Sequence, residues 1–286
     1  MTIGPRISIV IPCFNHGSLL LETLASIDRV RIDSVAEVII VNDGSTDPTT
    51  CRVFRELDSV KYRIIHQENR GLSAARNAGI TAAKGEFILP VDSDNFIRRT
   101  YLDKGLAVLL SEPDIGVVYG DLQFFGEATG RHRQRDFEWA SFVRKNYIDA
   151  CALYRKSVWE SVRGYDEKMR IGWEDWDFWM RSALHGWRFH HLDEIAFDYR
   201  VRIGSMLSET EKHKIELAEY IFSKPGFELL RPLRDQAIQL EEMSKNFQSL
   251  DYRVGRAIVA PLRKVTRIPS GIRRRLRERA AAREQA

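Results

Sequence analysis

Short apolar runs alternate with segments of helical periodicity over residues 7–95. Residues 7–12 and 37–41 are continuous apolar runs of strand length, which predicts two strands buried on both faces. Apolar residues recur at helical spacing over 18–30, which predicts a helix with Ser18 as its N-cap. Alternating strands and helices predict an α/β fold with a mostly parallel sheet and right-handed crossovers. The other predicted elements are a helix at 48–57, a strand at 61–67, a helix at 71–85 and a strand at 86–91.

The pattern after residue 115 is mixed, and no tract rich in Gly, Ser or Pro interrupts it. We therefore assign residues 1–207 to one domain, residues 208–251 to a C-terminal helical region and residues 252–286 to a tail. No apolar run approaches the roughly 20 residues of a membrane-spanning helix, and the first residues show no signal-peptide pattern. The three cysteines form no CxxC pair, which favours a reducing, cytoplasmic compartment over a structural zinc site.

Charge is distributed unevenly along the chain. The tail 252–286 contains eleven Arg or Lys and two Glu, whereas the preceding residues carry a net negative charge. Basic residues interspersed with Ile, Val and Leu are typical of a segment that binds an anionic membrane surface, and a solvated tail explains them equally well. Nucleic-acid binding is a less favoured interpretation, because the tail has no aromatic residue beyond Tyr252 and the rest of the chain is acidic.

Polar residues follow the predicted strands, at the edge where α/β sheets bind ligands. Asn15, Asp43 and the pair Asp92 and Asp94 occupy these positions. Asp92 and Asp94 point to the same side of an extended chain, where their charges repel each other unless a divalent cation binds. Their oxygens suit Mg²⁺ or Mn²⁺, although a solvated acidic turn is the better interpretation of this motif taken alone.

The segment "GWEDWDFWMR" (172–181) combines three carboxylates with three tryptophans. If a helix begins near Trp173, the tryptophans at 173, 176 and 179 share one stripe, for which core packing is favoured over stacking on a sugar. Asp177 and Arg181 are four residues apart and are expected to form a surface pair. Asp175 falls in the first helical turn, where the helix N-terminus favours its ionised form.

Four stretches occur in a characteristic order: "SIVIPCFNHGSLLLETLASI", "EVIIVNDGSTD", "NRGLSAARNAGITAAKGEFILPVDSDN" and "GWEDWDFWMR". Together they resemble the family 2 glycosyltransferases, which use nucleotide sugars and have the GT-A fold. The resemblance covers roughly residues 5–207. It implies a Rossmann-like, mostly parallel sheet flanked by helices, here followed by a C-terminal helical extension. It also implies inverting transfer of a sugar from a UDP- or dTDP-sugar to a hydroxyl group.

The resemblance assigns roles to the matching positions. Asp175 corresponds to the catalytic base, with Glu174 beside it, and Asp94 corresponds to the residue that binds Mn²⁺ or Mg²⁺, with Asp92 as a second ligand near the ribose. Asp43 corresponds to the residue that reads the base, because a carboxylate can accept the imide N–H of uracil or thymine. The positions implied to bind the donor are Pro12, Phe14, Asn15, Asp43, Arg76, Asp92 and Ser93.

The chain departs from the family pattern near the end of the predicted domain. Many relatives carry a "YRxHxxS"-like element, but this chain has "YRVRIGS" (199–205), with Arg202 where a histidine is expected. An arginine cannot ligate a metal as a neutral imidazole can, but it can neutralise a diphosphate. We therefore count Arg202 among the donor-binding residues, and coordination of the metal by the protein is in doubt.

The acceptor is expected to be a saccharide or a lipid-linked saccharide in the synthesis of bacterial cell-surface polysaccharide, at the cytoplasmic face of the membrane. No QxxRW signature occurs, so we expect the addition of single or few sugars. A relative that binds the donor without transferring sugar is one alternative. A sugar-1-phosphate nucleotidyltransferase is another, but the loop "PCFNHGS" (12–18) lacks the Gly-rich phosphate-binding pattern of that class.

Overall fold

The computed structural model describes residues 6–202 and 210–247. The chain divides into two compact units, Met1–Leu233 and Arg234–Ala286. The basic tail at 252–286, with its predicted membrane contact, lies outside the described residues, as does the stretch 203–209 at the end of the predicted first domain. No helix in the described part of the chain combines the length and apolarity that a membrane crossing requires.

The first half of the chain alternates strands and helices as the pattern predicts. Its elements are β1 (Ile7–Cys13), α1 (Gly17–Val30), β2 (Val35–Asp43), α2 (Pro48–Glu56), β3 (Arg63–Gln67), α3 (Leu72–Ala82) and β4 (Phe87–Pro90). The predicted N-cap of α1 is wrong, because the helix begins one residue before Ser18 and His16 occupies the cap position. The Gly17 N–H donates instead to Thr50 Oγ1 at 2.8 Å, so the first turn of α1 is satisfied by a side chain of α2.

The second half adds strands and helices of uneven length. Its elements are β5 (Phe96–Ile97), α4 (Arg99–Ser111), β6 (Ile115–Gly126), β7 (Gly130–His132), α5 (Trp139–Phe142), β8 (Leu153–Arg155), α6 (Lys156–Ser161), α7 (Glu174–Leu184), β9 (Arg188–Val201), α8 (Lys214–Phe222), a 3₁₀ turn (Phe227–Leu229) and α9 (Arg231–Phe247). The basic stretch 131–135 begins in β7, which pairs with β6.

The strands form one sheet in the order β3-β2-β1-β4-β8-β6-β9-β5, with β7 paired to β6. The neighbours from β3 to β4 run parallel, as do β6 and β9, and these parallel pairings are the long ones. The pairings of β8 with β4 and β6, and of β5 with β9, are short and antiparallel. The predicted α/β fold with a mostly parallel sheet is therefore confirmed.

Helices cover both faces of this sheet. Ile7, Ile9 and Ile11 of β1 pack into one apolar cluster with α1, α2 and α4, whereas Val10 packs into a second cluster with α3, α7 and α8. Helix α3 lies close to the sheet at Gly79, where an added Cβ would come within 2.4 Å of Val10 Cγ1. The small residues of α3 thus allow the helix to approach the sheet closely.

Candidate active site

Loops that follow β1, β2 and β4 meet at the carboxyl edge of the sheet. The loop after β1 is tied to the loop after β2 by Asn15, whose Oδ1 accepts the N–H groups of Thr46 and Asp47 at 2.8 and 2.9 Å. Asn15 adopts a left-handed backbone (φ 56°), which asparagine tolerates better than most residues. Pro12 is buried within β1, and the Phe14 side chain is 44% exposed. An exposed aromatic ring beside a fixed loop can stack on a planar ligand group.

Asp43 ends β2 and is buried among hydrogen-bond donors. Its Oδ1 accepts from Gln67 Nε2 at 2.7 Å and from the Arg70 N–H at 2.9 Å, and its Oδ2 accepts from the Gly71 N–H at 2.9 Å. A carboxylate oxygen has two acceptor positions, so Oδ2 keeps one for a further donor. The carboxylate is thereby fixed with one acceptor position available for a ligand N–H.

Arg76 is the buried centre of an ion-pair network. Its Nη1 donates to Glu174 Oε1 at 2.5 Å and its Nη2 donates to Asp92 Oδ1 at 2.8 Å, although the side chain is only 1% exposed. The guanidinium also lies over the Tyr165 ring. The resemblance implies that Arg76 binds the donor, but in the structure both of its Nη atoms are bound to carboxylates. Arg76 instead links the strand that carries Asp92 to the helix that begins at Glu174.

Each residue of the stretch 92–95 has its own partner. Asp92 pairs with Arg76, and the Ser93 hydroxyl lies 3.0 Å from His16 Nδ1. Asp94 Oδ2 pairs with Arg202 at 2.9 Å. Asn95 Oδ1 accepts the backbone N–H of Arg200 at 3.0 Å, and the Asp94 carbonyl oxygen accepts from Arg200 Nε at 3.1 Å. The sequence motif is therefore a preformed turn, and its two carboxylates are both paired with arginines.

The pKa values of this turn follow from burial and from neighbouring charges. Burial and the nearby Asp92 charge raise the pKa of the Asp94 carboxyl, while Arg202 and Arg200 oppose the shift. Burial and the charge of Arg202 lower the pKa of His16. Because an arginine has no acceptor, the Arg202 Nη2 contact of 3.1 Å requires His16 Nε2 to be unprotonated, so Nδ1 carries the proton and donates to Ser93 Oγ.

The donor set of the turn fits a divalent cation that is completed by its ligand. Within residues 6–202 and 210–247, no three His, Cys, Asp or Glu side chains are grouped so as to hold a metal ion by themselves. Mg²⁺ is commonly held by one or two carboxylates together with substrate phosphates, and Asp92 and Asp94 can supply such carboxylates. The residues present therefore fit a metal that binds together with a phosphate-bearing ligand.

Helix α7 begins next to the acidic turn, to which Glu174 is linked through Arg76 and Asp92. Asp175 Oδ2 accepts from Asn146 Nδ2 at 2.8 Å, and Asp175 Oδ1 accepts the Trp176 N–H at 2.7 Å. Burial, followed by the charges of Glu174 and Asp149, raises the pKa of Asp175 well above its ordinary value. The expectation that the helix N-terminus favours the ionised form is therefore wrong, because desolvation and neighbouring carboxylates outweigh the helix dipole.

The remaining residues of this segment have structural contacts. The indole N–H groups of Trp176 and Trp179 donate to the carbonyls of Phe142 and Ile148 at 2.9 and 3.1 Å, and both rings are buried, as core packing predicts. Asp177 does pair with Arg181, but it is fully buried and is not a surface residue.

Lys224, which follows α8, donates a second charged hydrogen bond to Asp177 at 2.6 Å. The two cations together compensate the cost of burying this carboxylate. Glu174, which precedes Asp175, is the buried partner of Arg76.

Comparison with known proteins agrees with this geometry. Residues 8–177, more than half of the chain, match Glycosyl transferase family 2. The chain belongs to this family. Among curated relatives, it is 34% identical over 228 residues to Glycosyltransferase GlyA of Streptococcus pneumoniae, which covers 72% of this chain and 32% of GlyA. It is 27% identical over 210 residues to Minor teichoic acid biosynthesis protein GgaA of Bacillus subtilis, which covers 68% of this chain and 47% of GgaA.

Solved structures show that the family 2 fold extends over most of the chain. TarS of S. aureus in complex with UDP-GlcNAc superposes with a TM-score of 0.65 and 18% identity, over 82% of this chain and 71% of TarS 1–349. Mannosyltransferase PcManGT of Pyrobaculum calidifontis, in complex with GDP-Man and Mn²⁺, superposes with a TM-score of 0.56 and 17% identity, over 91% of this chain and 85% of that chain. The GT-A fold predicted from the sequence is thus confirmed.

Three polar residues of this family 2 site are absent from the sequence-based prediction. His16 contacts Arg202 and Asn146 contacts Asp175. His16 lies in the first of the four characteristic stretches but was given no role, and Asn146 lies outside them. Asp149 lies among the carboxylates: burial and the charge of Asp92 raise its pKa to about 7, and its Oδ1 accepts the Cys151 N–H at 2.8 Å. A lone acidic residue between apolar neighbours in "NYIDACAL" (146–153) was the available signal for Asp149.

Proposed function

We propose that this chain is an inverting glycosyltransferase that moves a sugar from a nucleoside-diphosphate donor, UDP- or dTDP-linked, to a hydroxyl of a saccharide or lipid-linked acceptor. The observation that carries the proposal is the continuous network Asp92–Arg76–Glu174. This network joins the acidic turn after β4 to the first turn of α7, where Asp175 lies. Arg76 thereby fixes the position of Asp92, on the proposed donor side, relative to Asp175, which can take a proton.

Donor binding is assigned to the carboxyl edge of the sheet. Asp43 keeps an acceptor position for the imide N–H of uracil or thymine, and the exposed ring of Phe14 offers a stacking surface. Ser93, anchored to His16, keeps the turn in place beneath the donor. The titles of the TarS and PcManGT structures, which name UDP-GlcNAc and GDP-Man, support a nucleotide sugar as the class of donor.

Asp94 and Asp92 are the residues that would hold a divalent cation, for which Mn²⁺ in the PcManGT structure is the precedent. When bound, such a cation supplies positive charge to the departing diphosphate. The chain adds charge of its own, because Arg202 is about a third exposed at the same turn. Arg76 acts indirectly by holding Asp92 in place.

Asp175 is proposed as the base that accepts the proton of the acceptor hydroxyl. The acceptor oxygen forms a bond to the anomeric carbon while the bond from that carbon to the diphosphate oxygen breaks on the opposite face, so the configuration inverts. A raised pKa makes the ionised carboxylate a stronger base, and the ionised form is the one that takes the proton as the hydroxyl attacks. Asn146 holds the carboxylate through Oδ2.

The biological setting is proposed from the relatives. The name of GgaA refers to teichoic acid biosynthesis, which supports a role in cell-surface polysaccharide synthesis. A relative that binds the donor without transfer is the second candidate, and transfer itself distinguishes the two.

The deciding experiment is a donor screen that measures release of UDP, dTDP and GDP with a panel of acceptors, with and without Mn²⁺. Asp175→Asn is expected to retain nucleotide binding by calorimetry and to lose transfer by at least about 100-fold, the contribution typical of a general base. Asp103→Asn, which changes an exposed carboxylate on α4, is the control and should transfer normally. Unchanged turnover in Asp175→Asn would contradict the assignment of the base.

A further inference from the structure

Arg202 occupies one carboxylate oxygen of Asp94, a residue proposed to hold the cation. Its Nη2 lies 2.9 Å from Asp94 Oδ2 and 3.1 Å from His16 Nε2. The His16 ring is held in this position, because its Nδ1 also lies 3.0 Å from Ser93 Oγ. The guanidinium is therefore placed from two sides against the acidic turn.

A divalent cation and this guanidinium compete for the same place. Two cations within a few ångströms of each other repel, and the repulsion is stronger in a partly buried site than in water. Asp94 is itself only 14% exposed, so solvent weakens the competition little. A metal that binds alone through Oδ2 must displace Arg202, and one that binds through Oδ1 is repelled by the guanidinium beside it.

Arg202 also has capacity for a second anion. Its side chain is 35% exposed, and its Nε is buried without a hydrogen-bond acceptor among the described residues. A buried N–H without an acceptor is unfavourable, so an anion that reaches it gains more than an exposed hydrogen bond would give. A diphosphate offers several oxygens to a guanidinium and binds it in a bidentate way.

We propose that Arg202 makes metal binding depend on donor binding, an inference that rests on the proposed function. Without nucleotide, Arg202 neutralises Asp94 and keeps metal affinity low. The diphosphate of the donor draws the guanidinium to itself and frees Asp94 Oδ2 for the cation. Because coupling between two ligands is reciprocal, the metal strengthens nucleotide binding by the same factor.

The experiment measures binding of Mn²⁺ by the loss of its free electron paramagnetic resonance signal, with and without UDP, dTDP or GDP. For the full chain, a nucleotide that binds should tighten Mn²⁺ binding by a factor of about 5 to 150, the usual range of such coupling. Inorganic diphosphate should reproduce part of this effect, because the inference concerns the diphosphate and not the base.

Variants of Arg202 separate the proposed coupling from a general effect of charge. Arg202→Gln should bind Mn²⁺ without nucleotide about tenfold more tightly than the unchanged chain and should show a smaller increase when nucleotide is added. Arg202→Lys keeps the charge and should behave between the two. Arg98→Gln removes a neighbouring positive charge that pairs with Asp198 and is the control, which should leave both affinities unchanged.

The outcomes distinguish this inference from the proposed function. One outcome overturns the inference and leaves the proposed function standing. In it, a nucleotide binds, but the Mn²⁺ affinity of Arg202→Gln, measured without nucleotide, equals that of the unchanged chain or of Arg98→Gln. If no nucleotide binds with or without Mn²⁺, both fail. Tighter Mn²⁺ binding in Arg202→Gln, together with reduced enhancement by nucleotide, supports the inference.

Discussion

Asp175 and Asp177 lie two residues apart on α7, and substitution by asparagine should affect them differently. It should reduce sugar transfer at Asp175 and stability at Asp177. Asp177 is fully buried and accepts from Arg181 Nε at 2.8 Å and from Lys224 Nζ at 2.6 Å. Asn keeps the shape of Asp but removes the charge, which leaves two largely buried cations without their common partner. We expect Asp177→Asn to destabilise the fold and to leave the chemistry of the site intact.

The magnitude follows from the partners that remain. Loss of one member of a buried ion pair costs about 3–5 kcal/mol. Arg181 keeps the carbonyls of Val162 and Gly164, and Lys224 keeps Asp166, so we expect about 3 kcal/mol, the lower end of that range. For a unit of this size the melting temperature should fall by about 2–4 °C per kcal/mol, that is by about 6–12 °C.

Matched variants make the measurement decisive. Asp103 forms an exposed pair with Arg99 at the same four-residue spacing, so Asp103→Asn should cost only about 0.5 kcal/mol or less.

Asp175→Asn should cost less stability than Asp177→Asn at neutral pH. Burial already disfavours the charged form of Asp175, and this offsets the loss of the acceptor for Asn146. Thermal unfolding by circular dichroism measures all three variants, and sugar transfer is measured well below each melting temperature. A loss of stability in Asp177→Asn no larger than that in Asp103→Asn would refute the argument.

Further predictions concern three other variants, in the site and in its support. The pKa of Asp149, about 7 against an ordinary value of 3.8, means that its contribution to stability is present at low pH and is lost as the pH rises towards 7. The melting temperature of the unchanged chain should therefore fall relative to that of Asp149→Asn over this interval. In Asp149→Asn the acidic limb of the transfer rate should also move to lower pH, because the variant removes a charge that raises the pKa of Asp175. Asp43→Asn should cost about 1–3 kcal/mol in chemical denaturation and weaken UDP binding in calorimetry, because an amide NH₂ cannot accept all three donors around it. Gly79→Ala should cost about 1–3 kcal/mol in the same assay, because its Cβ would overlap Val10.

Much of the fold was predictable, because apolar periodicity is a local signal. The strands at 7–12 and 37–41 appear as β1 and β2 with ends shifted by one or two residues. The N-cap of α1 was missed because the donor–acceptor pair that fixes the first turn joins Gly17 to Thr50, far along the chain. Sequence-local rules for capping cannot anticipate an acceptor that comes from another helix.

The positions of the candidate residues could be predicted from the sequence better than their partners could. Asp43, Asp92, Asp94 and Asp175 do lie around the same edge of the sheet. Glu174 was expected beside a base and Asp177 at the surface, yet both are buried and bound to cations. A helical pattern predicts the face of the helix on which a carboxylate lies. It does not predict the protonation state, because burial and the nearby charged groups depend on the tertiary structure.

The cations around the acidic turn come from distant parts of the sequence. Arg76 comes from α3, and Arg200 and Arg202 come from the end of β9, which runs parallel to β6 and pairs with β5 beside the turn. The net charge of the motif therefore depends on this topology and cannot be deduced from the two aspartates alone. A paired carboxylate is a poorer metal ligand than a free one until an anion removes its partner. We therefore expect a metal at the turn of Asp92 and Asp94 to bind only weakly in the absence of nucleotide.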